Sequence, residues 1–132
     1  MLEKFSKLIY LILYFIDQFI GIFAKKFKFL LHLKEYIESK QYVQKKILDK
    51  KIIFFTPNKA TELRVKRIFT KEPGTIEWIN NFKTNEENII FWDIGSNIGL
   101  FSIYAAIRHS KIKVFSFEPS TSNLRVLTRN IS

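Results

Sequence analysis

The chain contains no cysteine, which excludes disulfide bridges and thiolate metal sites. Histidine is nearly as scarce. Only His32 and His109 occur, and neither has a second histidine at ligand spacing, so a metal site has little support. Four glycines and three prolines leave few chain breakers, and there are none at all from Lys25 to Lys50. Acidic residues are sparse in the last third. Between positions 93 and 132 only Asp93 and Glu118 occur, each where a strand is expected to end.

What is abundant is basic and apolar. The formal net charge is +10, and the hydrophobic fraction of 47% with 14 phenylalanines supports a folded core rather than a disordered chain. The lysines are spread from Lys4 to Lys113 without forming a stripe, so a solvated basic surface accounts for them better than a nucleic-acid interface.

Residues 8–24, LIYLILYFIDQFIGIFA, are the most hydrophobic window, flanked by lysines at 4, 7, 25, 26 and 28. Eleven Leu, Ile or Phe residues favour insertion by about 0.3–0.6 kcal/mol each, against roughly 3 kcal/mol for Asp17 near the centre, which makes a transmembrane span marginal. Lys7, Tyr10, Tyr14, Asp17, Gln18, Gly21 and Lys25 fall on one stripe at steps of three and four, the pattern of an apolar helix with a polar seam. Such a helix either spans a bilayer, lies on its surface through residues 8–28, or packs on a partner, and Asp17 weighs against the span. No small-x-small cleavage site follows it, so a signal peptide is not expected. Residues 25–50 continue a roughly helical spacing through Leu30, Leu33, Ile37, Val43 and Ile47. Residues 1–50 are therefore read as a helical leader.

At Ile52 the texture changes. IIFFT, the turn signal Pro57-Asn58 and the alternating TELRVKRIF predict a β-hairpin. Thr75 is the expected N-cap of a helix through Ile76, Trp78, Ile79 and Phe82, and residues 83–88 form a polar loop. Residues 51–88 make a lead-in of hairpin and helix.

Residues 89–132 carry the chemistry. Ile89, Ile90, Phe91 and Trp92 are apolar without alternation, which predicts a parallel strand covered on both faces. Asp93 closes it, a turn containing Gly95 and Gly99 lets a ligand approach the backbone, and a helix follows from Ile98 to Ile107. His109 belongs to the end of that helix rather than to catalysis. KVFSFE, residues 113–118, is the next strand, and Pro119-Ser120 opens a helix bearing Leu124, Leu127 and Ile131. This is a βαβα unit of an α/β fold with a parallel sheet. Ligands of such units bind beyond the carboxyl ends of the strands, where Asp93 and Glu118 are expected. Glu118 follows Gly99 by 19 residues, near the interval at which an acid meets ribose hydroxyls. A dinucleotide fingerprint needs glycine where Asn97 and Leu100 stand, and Asp93 would repel a pyrophosphate yet suit the ammonium and sulfonium of S-adenosylmethionine. Asn97 is also a candidate helix N-cap.

The strings FWDIGSNIGLFSIYAA and VFSFEPSTSNLRVLTRNI closely resemble the FkbM family of S-adenosylmethionine-dependent methyltransferases, and KEPGTIEWINNF resembles that family's lead-in. The resemblance covers residues 52–132. It implies the start of a Rossmann-like sheet of the class I methyltransferase type. In that reading Asp93, Gly95, Ser96, Asn97 and Gly99 line the methionine side of the cofactor and Glu118 binds the ribose. The activity implied is methylation of a hydroxyl on a sugar or other small molecule. Separately, a cytoplasmic location is expected, with the inner face of the membrane as the place of any association through residues 8–28. Only two strands of the sheet are present, so the acceptor side is expected from residues outside this chain, no catalytic residue is assigned, and cofactor binding by the 132 residues alone is expected to be weak or absent. Two other readings stand beside this one: a non-catalytic membrane-associated segment, and an NAD-dependent oxidoreductase.

Overall fold

The computed structural model describes residues 1–24, 28–82 and 89–132. The lysines at 25 and 26 and the loop expected at 83–88 lie outside the described residues. The chain divides into two compact units, Met1–Lys40 and Gln41–Ser132.

The first unit holds α1 (Leu2–Phe23) and α2 (Phe29–Ser39). No residue of either helix is buried. The Asp17 carboxylate accepts the Leu30 amide at 3.0 Å, so the acid inside the apolar helix satisfies one of the orphan donors in the first turn of α2. The helical leader is shorter than its spacing suggested, because the chain from Tyr42 onward belongs to the second unit as a strand.

The second unit begins with an antiparallel hairpin of β1 (Tyr42–Ile47) and β2 (Lys50–Phe55). This corrects the expected hairpin, which lay across Pro57-Asn58. Its turn is Leu48-Asp49, with Leu48 at φ 51°, a left-handed conformation that a leucine seldom adopts. Pro57-Asn58 instead opens α3 (Lys59–Lys66), where Asn58 and Thr61 form a reciprocal capping box: the Thr61 amide donates to Asn58 Oδ1 at 2.9 Å and the Asn58 amide to Thr61 Oγ1 at 3.3 Å. Thr61, Val65 and Ile68 are the buried positions, spaced by four and three, so a helix covers the core where the alternation of Leu63 and Val65 with basic residues had implied a strand. Arg67 ends α3 and starts the short α4 (Ile68–Lys71).

Then comes α5 (Pro73–Asn80), with Pro73 in the first turn, where its missing N–H costs nothing, and Glu72 at the N-cap. Thr75 is inside this helix and does not cap it.

β3 (Ile89–Ile94) and β4 (Ile112–Phe117) pair in parallel, Phe91 opposite Val114 and Asp93 opposite Ser116, with α6 (Leu100–Arg108) between them in the chain and α7 (Thr121–Ile131) after them. The helices lie on one face. Phe91 and Asp93 are buried there, while Ile90, Trp92, Ile94, Phe115 and Phe117 on the other face are exposed, Ile94 at 77%. The continuous apolar run implies cover on both faces, and among the described residues of the second unit no helix supplies the second. The two segments that the sequence separates at residue 88 share one core, since Ile47, Phe54, Val65 and Ile79 cluster with Phe91, Ile98 and Tyr104. Asn80 ties α5 to α6, accepting from the Tyr104 hydroxyl at 2.8 Å and Arg108 Nε at 3.2 Å. His109 caps the end of α6, buried, with Nε2 at 2.8 Å from the Ile79 carbonyl and its ring stacked on Phe82.

Candidate functional site

The turn after β3 is shaped by three left-handed residues in five: Gly95 (φ 80°), Asn97 (φ 54°) and Gly99 (φ 84°). The two glycines serve different ends. Around Gly95 a β-carbon would meet nothing within 4 Å, so its front is open and its requirement is conformational. At Gly99 a β-carbon would lie 2.7 Å from Leu127 Cδ1, so the missing side chain makes room for α7 rather than for a ligand. Gly99 is also the N-cap of α6, which corrects the reading of Asn97 as the cap.

The amides of the turn are already engaged. Gly95 and Ser96 donate to the Phe117 carbonyl at 2.8 and 3.0 Å, extending the parallel ladder past the ends of the strands, and Ser96 Oγ donates to the same carbonyl at 3.2 Å. The Asn97 amide donates to Glu118 Oε2 at 2.7 Å. The Gly95, Ser96 and Asn97 amides are thus taken up inside the protein rather than aimed at the cavity. From the other side Asn130 of α7 holds the turn, its Nδ2 donating to the Ile98 carbonyl at 2.9 Å and its Oδ1 accepting the Phe55 amide at 2.8 Å.

Glu118 is a clamp. Oε2 holds Asn97 and Oε1 accepts the Ser120 amide at 2.8 Å, while the Asn123 side chain and the charge of Arg64 add to the pull, so the carboxyl sits below its usual range, with the Ser120 amide the largest cause. Three of the roughly four lone-pair positions of a carboxylate are thereby committed, which leaves about one for an outside hydroxyl. Asp93 behaves oppositely. Burial pushes its carboxyl above the usual value, and a 2.5 Å hydrogen bond from Ser102 Oγ partly offsets this. Ser102 also meets Ser116 Oγ at 2.7 Å, so Asp93, α6 and β4 are joined through one hydroxyl chain.

A cavity of about 290 Å³ opens at the carboxyl end of β3. Asp93, Gly95, Ser96 and Asn97 line it, whereas Gly99 and Glu118 do not: one supports the packing of α7 and the other braces the turn through the Asn97 amide. The opposite wall comes from the α3–α5 segment, with Arg64, Arg67 and Lys71 on it. Sequence reasoning passed these three over because it placed Arg64 and Arg67 on a hairpin strand. Arg64 lies on α3, Arg67 at the junction of α3 and α4, and Lys71 at the end of α4, and their spacing of three and four after the Asn58–Thr61 cap is the signal for this helical segment. Lys71 pairs with Glu72 at 3.5 Å. The Asn97 Oδ1 atom is buried without a hydrogen-bond partner among the described residues. Those residues also include no cluster of three His, Asp or Glu side chains able to hold a metal. No family profile, curated protein or solved structure matches this chain.

Proposed function

We propose that the chain carries the S-adenosylmethionine-binding part of an O-methyltransferase acting on a hydroxyl of a sugar or another small molecule. The observation that supports this best is the distribution of charge around the cavity at the end of β3: Asp93 lies on the strand side, and Arg64, Arg67 and the Lys71–Glu72 ion pair lie on the α3–α5 segment, which keeps a net positive charge. A ligand bearing both an ammonium–sulfonium end and a carboxylate complements such a cavity, and a purely anionic dinucleotide does not. The engaged amides of Gly95, Ser96 and Asn97 weigh against the oxidoreductase reading for the same reason.

In this reading Asp93 faces the cationic end of the cofactor and the basic wall faces its carboxylate, while Glu118, outside the cavity lining, contributes by holding the turn. The bound cofactor supplies an electrophilic methyl group. The chain's own contribution is orientation: Glu118 and Asn130 fix the turn through the Asn97 amide and the Ile98 carbonyl, and Ser102 holds the Asp93 carboxylate in place. The choice of a sugar or similar hydroxyl acceptor rests on the resemblance to the FkbM family alone.

The test is a titration of the isotopically labelled chain followed through its amide resonances. Glycine signals are few, because the sequence has four. S-adenosylhomocysteine should shift the amides of Gly95, Ser96 and Asn97 with an affinity weaker than micromolar, and NAD⁺ should leave them unmoved. A response to NAD⁺ with none to S-adenosylhomocysteine would overturn the proposal.

A further inference from the structure

We propose that the Met1–Lys40 unit is an in-plane membrane anchor, a helical hairpin whose α1 lies in the surface of an anionic bilayer without crossing it. By length and composition α1 could cross, and none of its residues is buried. The hairpin geometry separates the two modes. The residues of α1 that are partly shielded are Leu13, Asp17, Ile20 and Gly21, which lie on and beside the polar seam. α2 therefore lies against the edge of the seam at Asp17 and Gly21 and leaves both the outer seam and the apolar arc open, with Phe15 at 68% exposed, Phe19 at 64% and Ile22 at 70%.

The Asp17–Leu30 hydrogen bond then decides the depth. It ties the first turn of α2 to a level about 9 Å inside the carboxyl end of α1, counting 1.5 Å per residue from Asp17 to Phe23. His32, Lys34 and Glu35 follow within five residues of Leu30. If α1 spanned a bilayer, these groups would be carried into hydrocarbon beside it, where charged side chains are among the most costly to place. With α1 in the surface plane, the apolar arc enters the acyl boundary and α2 stays on the water side. Asp17 is then an internal cap of the hairpin rather than a charge stranded in lipid.

The partner's chemistry follows from the edges of the arc. Lys4 and Lys7 precede it, Lys7 in an exposed ion pair with Glu3 at 3.1 Å that an anionic headgroup can replace, Lys28 and Lys34 belong to the α2 segment, and Tyr10 and Tyr14 stack along the seam with ring centroids 6.3 Å apart. Lysines and tyrosines bordering an apolar face fit the headgroup layer of an anionic membrane.

The chain has no native cysteine, so single labels are straightforward. The full chain should co-sediment with vesicles of phosphatidylcholine mixed with phosphatidylglycerol, bind phosphatidylcholine alone more weakly, and lose binding as salt rises. Phe15→Glu should weaken vesicle binding by roughly tenfold or more. A fluorophore on Phe15→Cys should be quenched more by shallow than by deep lipid-borne nitroxides, and Lys34→Cys should stay open to an impermeant maleimide. Deep quenching at 15 with protection at 34 would mean a span and overturn the proposal. So would unchanged binding of Phe15→Glu, or an oligomer that Phe15→Glu dissociates in a chain that ignores vesicles, since a second copy would then be what covers the arc.

Discussion

The Glu118 carboxylate reaches back from the end of β4 to accept the Asn97 amide at 2.7 Å, locking the left-handed turn of one strand to the end of its neighbour. Glutamine at 118 offers a single acceptor oxygen and cannot hold both Asn97 and Ser120. Glu118→Gln should therefore weaken binding of S-adenosylhomocysteine by roughly tenfold, the effect of losing a charge-assisted bond, while far-ultraviolet circular dichroism stays unchanged. An unaltered affinity in a folded variant would remove Glu118 from the site.

The two carboxylates of the site respond to acid in opposite directions. Glu118 is held below its ordinary 4.5 by hydrogen bonds, so its stabilising contribution is full above that value and is lost as pH falls through the lowered folded pKa. Asp93 is held above its ordinary 3.8 by burial, so the folded state takes up its proton first, and stability from this group declines as pH rises from 3.8 through the raised folded pKa. Urea midpoints measured across the acid range should show Glu118→Gln flattening the loss at low pH. Asp93→Asn should steepen it, because it removes the group that gains there.

Gly95 and Gly99 share a left-handed backbone but not a neighbourhood. Gly95→Ala should cost about 1–2 kcal/mol, the conformational penalty alone, because its front is open. Gly99→Ala adds an overlap with Leu127, which is buried and cannot swing away freely, and should cost about 2–5 kcal/mol. Equal losses in chemical denaturation would contradict the assignment of Gly99 to the packing of α7.

Replacement of Asn58 by alanine removes the side-chain half of the capping box and should destabilise the second unit by about 1 kcal/mol. Asn58→Asp, which retains an acceptor oxygen, should recover most of this. If Asn58 stood in a β-turn between strands, the pair would not be ordered by capping ability.

Residues 89–117 were legible in the sequence because their order depends on local chemistry: an apolar β-branched run, a glycine turn, and the next apolar helix and strand. The positions of Asp93 and Glu118 at strand ends followed from the same order. The hairpin was not legible. Leu48-Asp49 carries no turn residue, and its left-handed leucine is imposed by the pairing of β1 with β2 around a buried Ile47 and Phe54. The helix α3 was hidden because Leu63 and Val65 alternate like a strand, while its true marker, the reciprocal cap of Asn58 and Thr61, is a three-dimensional hydrogen-bond pair.

The amino-acid order by itself determined that a strand would carry an acid next to its end and run into a glycine-containing turn, and that the amino-terminal helix would be apolar with one polar seam. Only the tertiary structure decided what those features do. Gly99 gives way to α7, Glu118 is mostly spent on bracing the turn, Arg64 and Arg67 face Asp93 across a cavity, and Asp17 caps a second helix. Each of these depends on groups between 13 and 32 residues apart in the chain, and spacing cannot specify such approaches because packing sets which distant side chains meet.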